Sequence, residues 1–172
     1  MMSDTAIARL VHGSTLGNLL IEANQVGVTL VAFTDELPTG STGENSTARE
    51  HLETAADQID EYLTGERRQF TVPMDLTDMS AFDREVLHML EATTGYGRTT
   101  TYGALTRQLG RTPADARKIG GALARNRLLL LLLPCHRVLG ADGSLTGYAG
   151  GLPAKRALLD LESADLVLPL GG

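Results

Sequence analysis

Leu128-Leu129-Leu130-Leu131-Leu132-Leu133-Pro134-Cys135-His136-Arg137-Val138 is the stretch on which the reading of the chain turns. A run of leucines this short falls well below the roughly 20 residues that span a membrane. It reads as a buried strand or extended segment that holds the next residues rigidly. Pro134 removes a backbone donor and fixes φ just before the cysteine. A thiolate is a strong nucleophile, but an ordinary thiol is mostly protonated at neutral pH, so it needs a base and a positive surrounding. His136 supplies the base and Arg137 contributes to the surrounding. Neighbouring side chains on an extended segment point to opposite sides, which predicts a bridging water between Cys135 and His136 rather than direct contact. Taken singly, a lone cysteine is more often an inert buried hydrophobe and a lone histidine a satisfied core residue. Their adjacency after an apolar run is what raises a nucleophile and base.

Cys135 is the only cysteine among 172 residues. An intrachain disulfide is therefore excluded and a cysteine-based zinc cage is not expected. No metal or cofactor is implied, and a single thiol suits a reducing compartment, the cytoplasm. Met1 to Leu10 lacks the pattern of a signal peptide. The net charge of −6 argues against nucleic-acid binding, yet its distribution argues for it. Residues 1–80 carry 4 basic and 13 acidic side chains, whereas the window 98–156 carries 10 basic ones against Asp115 and Asp142 alone. A basic half beside an acidic half predicts that the basic half meets a polyanion; a solvated basic face is the plain alternative.

Around these features the chain reads as α+β. Ile7–Val11, Leu19–Ile21 and Val26–Phe33 predict an antiparallel meander, and Leu37–Asn45 a loop. Ser46 or Thr47 is expected to cap a helix reaching Leu63, with Leu52, Ala55, Ala56, Ile59 and Leu63 on its apolar stripe. Phe70–Asp78 reads as an extended linker, which places the expected boundary between an N-terminal domain, 1–78, and a C-terminal one, 79–172. The second half is mainly helical. Ser80 caps a helix, Thr100–Leu109 and Ala114–Arg125 form a helix-turn-helix around Gly110, and Pro153 opens the last helix. On that helix Lys155, Leu159 and Glu162 share a face, so Glu162 is a candidate to orient His136. A solvated surface for Lys155 and Glu162 is the plain alternative.

Residues 82–162 resemble the C-terminal domain of the O6-alkylguanine-DNA alkyltransferases, also called methylated-DNA–protein-cysteine methyltransferases. The resemblance is carried by Pro134-Cys-His-Arg-Val138, Gly147-Tyr148, Gly150-Gly151, Lys155, Leu158-Leu159 and Glu162, and by Tyr96-Gly97-Arg98 with Thr101-Tyr102. It implies a winged-helix-like, DNA-binding alkyltransferase domain behind an α/β cap. The implied activity is direct-reversal DNA repair, in which an alkyl group passes from O6 of guanine to the protein's own cysteine in one irreversible turnover. Whether O4-alkylthymine is a second substrate stays open.

The implied roles follow position by position. Cys135 accepts the alkyl group, His136 takes its proton through a water, Glu162 polarises His136, and Tyr102 bonds N3 of the flipped base. The carbonyls of Cys135 and Val138 accept from the exocyclic amine, Tyr148 and the Ala149 amide lie by O6, and Lys155 belongs to the substrate site. Arg117 fills the gap left by the extruded base. Ala114, Arg117, Gly121 and Ala124 are expected on one face of small residues that enters the minor groove, with Arg125 and Asn126 completing the contact with DNA. The implied partner is duplex DNA carrying O6-alkylguanine, bound by a monomer and with no membrane.

Two departures stand out. Asn126 is followed by Arg127 where the family has proline, and one extra residue separates Asn126 from Cys135, so counting back from Cys135 selects Lys118 in place of Arg117. The two cysteines of the zinc site found in some members are absent. A non-catalytic damage sensor of the same fold, a Cys-His hydrolase and a transcription regulator are the competing readings; the first normally lacks the acceptor cysteine.

Overall fold

A computed structural model describes residues 7–126, 132–148 and 150–167, with side chains through residue 163. Its internal contacts divide it into two units, the first closing at Asp78 and the second opening at Met79.

The first unit is an antiparallel sheet of order β3-β2-β1-β4, comprising β1 (Ala8–Ser14), β2 (Gly17–Ala23), β3 (Val28–Phe33) and β4 (Thr39–Thr42), with helix α1 (Ser46–Leu63). Leu19, Ile21 and Ala23 are buried at the period of two that one covered sheet face requires. Opposing them in the core are Ala48, Leu52, Ala55 and Ile59 of α1. The stripe closes on buried Tyr62 in place of Leu63, because the tyrosine ring packs 5.1 Å from that of Phe70.

Three expectations need correction here. The helix is capped by Asn45, whose side chain accepts from Ala48 N at 2.9 Å, rather than by Ser46 or Thr47. The expected loop 37–45 contains β4, an edge strand on β1. Its Thr-Gly-Ser-Thr sequence shows no apolar alternation because it is mostly exposed. The expected linker 70–78 is bonded to the sheet: Val28 N donates to Pro73 O at 2.8 Å and Asp75 N to Val28 O at 2.9 Å. Gly27 permits this approach, since a Cβ there would lie 2.5 Å from the Pro73 carbonyl oxygen.

The second unit contains α2 (Ala81–Thr93), β5 (Thr100–Thr101), α3 (Tyr102–Gln108), a 3₁₀ turn (Pro113–Asp115), α4 (Ala116–Arg125), a second 3₁₀ turn (Cys135–Arg137), β6 (Val138–Leu139) and α5 (Leu152–Val167). Ser80 caps α2 as expected, accepting from Asp83 N at 3.1 Å. The expected helix from Thr100 begins at Tyr102, because Thr100 and Thr101 pair in parallel with Val138 and Leu139. Thr101 then caps α3 through Ala104 N. Ala114 lies in the 3₁₀ turn, ahead of α4. The short β5–β6 pair joins the entry of α3 to the segment leaving Cys135, and thereby sets where Tyr102 stands. Leu132 and Leu133 are buried; the rest of the leucine run lies outside the described residues. No described helix is long and apolar enough to cross a membrane.

Candidate active site

Cys135 opens a 3₁₀ turn in which Arg137 N donates to Pro134 O at 3.0 Å. The turn, rather than an extended strand, separates the directions of the Cys135 and His136 side chains. Cys135 is 7% exposed and lines a cavity of about 300 Å³ with Tyr102, Gly120, Leu123, Ala124, Asn126, Gly147 and Tyr148. That volume sits at the small end of the roughly 300–1,000 Å³ of small-molecule sites. Asn126 Nδ2 donates to Cys135 Sγ at 2.7 Å. Burial pushes the thiol from its ordinary 9.0 up to about 12, opposed by this bond and by the Lys155 charge. The resting sulfur is therefore a protonated thiol, and reaction requires that its proton be removed.

His136 is fully buried, and Nε2 lies 2.7 Å from Glu162 Oε2. Burial lowers its pKa, partly offset by Glu162, so the ring is neutral near pH 7. With Glu162 accepting from Nε2–H, the basic nitrogen is Nδ1. Glu162, 1% exposed, is also held by a guanidinium fork: Arg137 Nε reaches Oε1 at 2.8 Å and Nη2 reaches Oε2 at 3.0 Å. Arg137 Nη1 donates to Thr94 O, and Gly97 N to Glu162 Oε1. The carboxylate is thus pinned by three residues, His136 and Arg137 of the turn and Gly97 of the chain after α2, as a buried charge must be. Sequence reasoning placed Arg137 in the surroundings of the thiol but missed this fork. Nothing in the order of residues joins position 137 to 162.

Lys155 and Glu162 share a face of α5 as the spacing predicts, but that face is buried, not solvated. Lys155 Nζ donates to Val138 O at 2.5 Å and to Thr146 O at 2.7 Å. It therefore fixes the two strands of chain that flank the cavity. Val138 O accepts from Lys155, and Cys135 O accepts from Val138 N. Tyr148 lines the cavity, its hydroxyl pKa raised by burial and by the charges of Cys135 and Glu162. Ala149 lies outside the described residues.

The expected face of α4 is divided. Arg117 and Gly121 line an open groove of about 370 Å³ with Phe82, Arg111, Lys118 and Arg125, whereas Ala124 lines the Cys135 cavity. The 100° step per residue explains the split: Gly120 and Ala124 lie one turn apart on one side, Gly121 and Arg125 on the next. Arg117 and Lys118 are both exposed and both border the groove. Arg125 is paired with Asp83, and Asn126 faces the thiol.

The family model described as the 6-O-methylguanine DNA methyltransferase DNA binding domain matches residues 81–164, and that of the family's ribonuclease-like domain matches 10–76. A methylated-DNA–protein-cysteine methyltransferase of Mycobacterium leprae is 37% identical over 159 residues, covering 92% of this chain and 87% of its own. One from Mycobacterium tuberculosis is 44% identical over 118 residues, 66% of this chain and 69% of its own. The crystal structure of the M. tuberculosis O6-methylguanine methyltransferase superposes with a TM-score of 0.74 at 32% identity, covering 92% and 94% of the two chains. That of M. tuberculosis OGT in complex with DNA gives 0.75 at 33%, covering 90% and 92%.

Proposed function

Because the chain belongs to the methylated-DNA–protein-cysteine methyltransferase family, we propose that it repairs DNA by moving an alkyl group from O6 of guanine to Cys135, once per molecule. The observation that carries this reading is the cavity with the chain's only thiol in its wall and the buried His136–Glu162 pair beside it. O6 carries its alkyl group inside the duplex, out of reach of a sulfur in a cavity, so the base must be extruded at a cost of a few kcal/mol. The partner is duplex DNA with O6-alkylguanine, entered from the minor groove by a monomer in the cytoplasm. The C-terminal domain, 79–172, carries both binding and chemistry.

The reaction forms a sulfur–carbon bond as the carbon–O6 bond breaks. The thiol proton passes through a water to His136 Nδ1, and the imidazolium so formed faces Glu162. The departing guanine gains one proton, for which Tyr102 at N3 is the donor. The imidazolium then returns its proton through solvent to Tyr102, so that both side chains recover their starting forms and, net, the thiol loses a proton and the guanine gains one. Tyr148 and the Ala149 amide serve O6, the Cys135 and Val138 carbonyls serve the exocyclic amine, and Lys155 holds the Val138 carbonyl in place. Arg117 occupies the vacated stack, with Gly121, Ala124 and Arg125 on the helix that approaches DNA. A thioether offers no easy leaving group, so the protein is consumed.

The test is incubation with O6-methylguanine DNA, followed by mass measurement of the peptide carrying Cys135. A gain of one methyl per chain supports repair. Binding without mass gain would make the protein a sensor, and release of many products per chain would make it a hydrolase.

A further inference from the structure

Asn126 is the cap of α4, and Arg125 is that helix's last residue. Arg125 Nε and Nη2 donate to the two carboxylate oxygens of Asp83 at 2.9 and 2.7 Å. Asp83 lies in the first turn of α2, where the helix dipole and Ser80 also favour a carboxylate, and its side chain is only 10% exposed. Arg125 holds the Asp83 pKa down against the effect of burial. The fork thus ties the C-terminal end of α4 to the N-terminal end of α2, one residue before the side chain that bonds the thiol.

Gly121 belongs to the same arrangement. One turn before Arg125, it leaves room for the guanidinium to lie back along α4, since a Cβ there would come 3.2 Å from Arg125 Nη1. Asn126 itself is 1% exposed, and beyond Leu123 O, which accepts from its amide at 3.2 Å, the helix offers it no further anchor.

We infer that Asp83 is a positioning residue: through Arg125 it holds Asn126 against Cys135 Sγ and so sets the reactivity of the thiol. The inference rests on the proposal that Cys135 is the alkyl acceptor, but it makes a claim about the thiol that does not need DNA. A bidentate fork fixes both distance and angle, which a lysine point charge does not. The pair also neutralises one cation of the basic groove, so the same aspartate opposes phosphate binding there. Removing its charge should have opposite effects on the thiol and on DNA.

Cys135 is the only cysteine, so iodoacetamide alkylation of the intact protein reads this thiol alone. Apart from Asn126, the charged and titratable groups around it are Lys155, Tyr148 and Tyr102, with His136 next in the chain, and none of these four is altered by the variants. In Asp83→Asn, we expect the alkylation rate at fixed pH, read between about pH 7 and 9, to fall about tenfold, as a weakened hold on the thiolate requires. Asn126→Ala should lower it at least as far. Duplex binding by Asp83→Asn should be no weaker than wild type, with a salt slope steeper by roughly one. Arg125→Lys, which keeps the charge and loses the fork, should fall between wild type and Asp83→Asn and serves if the latter does not fold. An unchanged alkylation rate in Asp83→Asn or in Arg125→Lys, with Asn126→Ala slowed, would overturn the link through Arg125. An unchanged rate in Asn126→Ala would overturn the role of the amide itself. Failure of the wild type to repair DNA, with these changes of rate observed, would count against the repair reading and leave the positioning role standing.

Discussion

Glu162 Oε2 lies 2.7 Å from His136 Nε2, with both side chains essentially without exposure to solvent. The same carboxylate receives the Arg137 fork, so one buried anion orients the base and satisfies a buried cation. Glu162→Gln should remove both services at once. Leaving Arg137 buried without its anion is expected to destabilise the fold by about 3–5 kcal/mol. The transfer step should slow as well, because an amide can present its oxygen to only part of this donor set. Chemical denaturation and single-turnover transfer to the variant, compared with wild type, check both effects. Wild-type stability and rate would return Glu162 to an ordinary helix position.

The thiol makes stability depend on pH in a definite direction. Folding raises its pKa from the ordinary 9.0 to about 12, so the folded state holds the proton more tightly. The stabilisation is complete below pH 9 and is lost as pH rises toward 12, by about 1.4 kcal/mol per pH unit within that window. Wild type should therefore lose thermal stability between pH 9 and 12 faster than Cys135→Ala does. Parallel curves for the two proteins would mean that the thiol is not desolvated.

Cys135→Ser and Cys135→Ala should abolish transfer and retain binding to alkylated duplex. Neither changes the basic groove, and the chain has no second thiol to take over. A gel-shift titration beside a radiolabel transfer assay separates the two properties. Any methyl transfer by either variant would remove Cys135 from its role.

Arg117→Ala should impair repair of duplex DNA far more than reaction with free O6-benzylguanine. A side chain that fills the vacated stack helps only a base that has to be extruded. Equal losses on the two substrates would point to a packing role. Lys118, exposed on the same groove, is the control, and a duplex-specific loss in Lys118→Ala alone would reassign the insertion to it.

Binding to duplex should be sensitive to salt and indifferent to sequence. Contacts with about four to six phosphates give a slope of roughly −4 to −5 for log K against log salt. The minor groove presents a degenerate base pattern. Titrations from about 50 to 300 mM salt on unrelated duplexes test both; a flat salt response or a single preferred sequence would favour a regulator reading the major groove.

The sequence by itself determined the features that depend on local order and periodicity. The β-rich segments of the meander, the Ser80 cap and the Lys155–Glu162 helix spacing are consequences of backbone geometry that a linear text carries, although the extension of the second strand to Ala23 is not. The motif around Cys135 is legible in the same way and was enough to identify the family and its chemistry. Polar β4 was missed because an exposed edge strand needs no apolar code. The Asn45 cap was missed because Ser46 and Thr47 beside it have similar chemistry. Only the tertiary structure decided which cations are free and which are committed. Arg137 is held by Glu162, Arg125 by Asp83, and Lys155 by two carbonyls, while Arg117 stands exposed. Ion pairs between residues 25 and 42 positions apart follow from which helices pack together, and charge alone does not encode its partner. The same holds for Asn126: its amide reaches the thiol because α4 ends beside the Cys135 turn, a distance that only the folded chain contains.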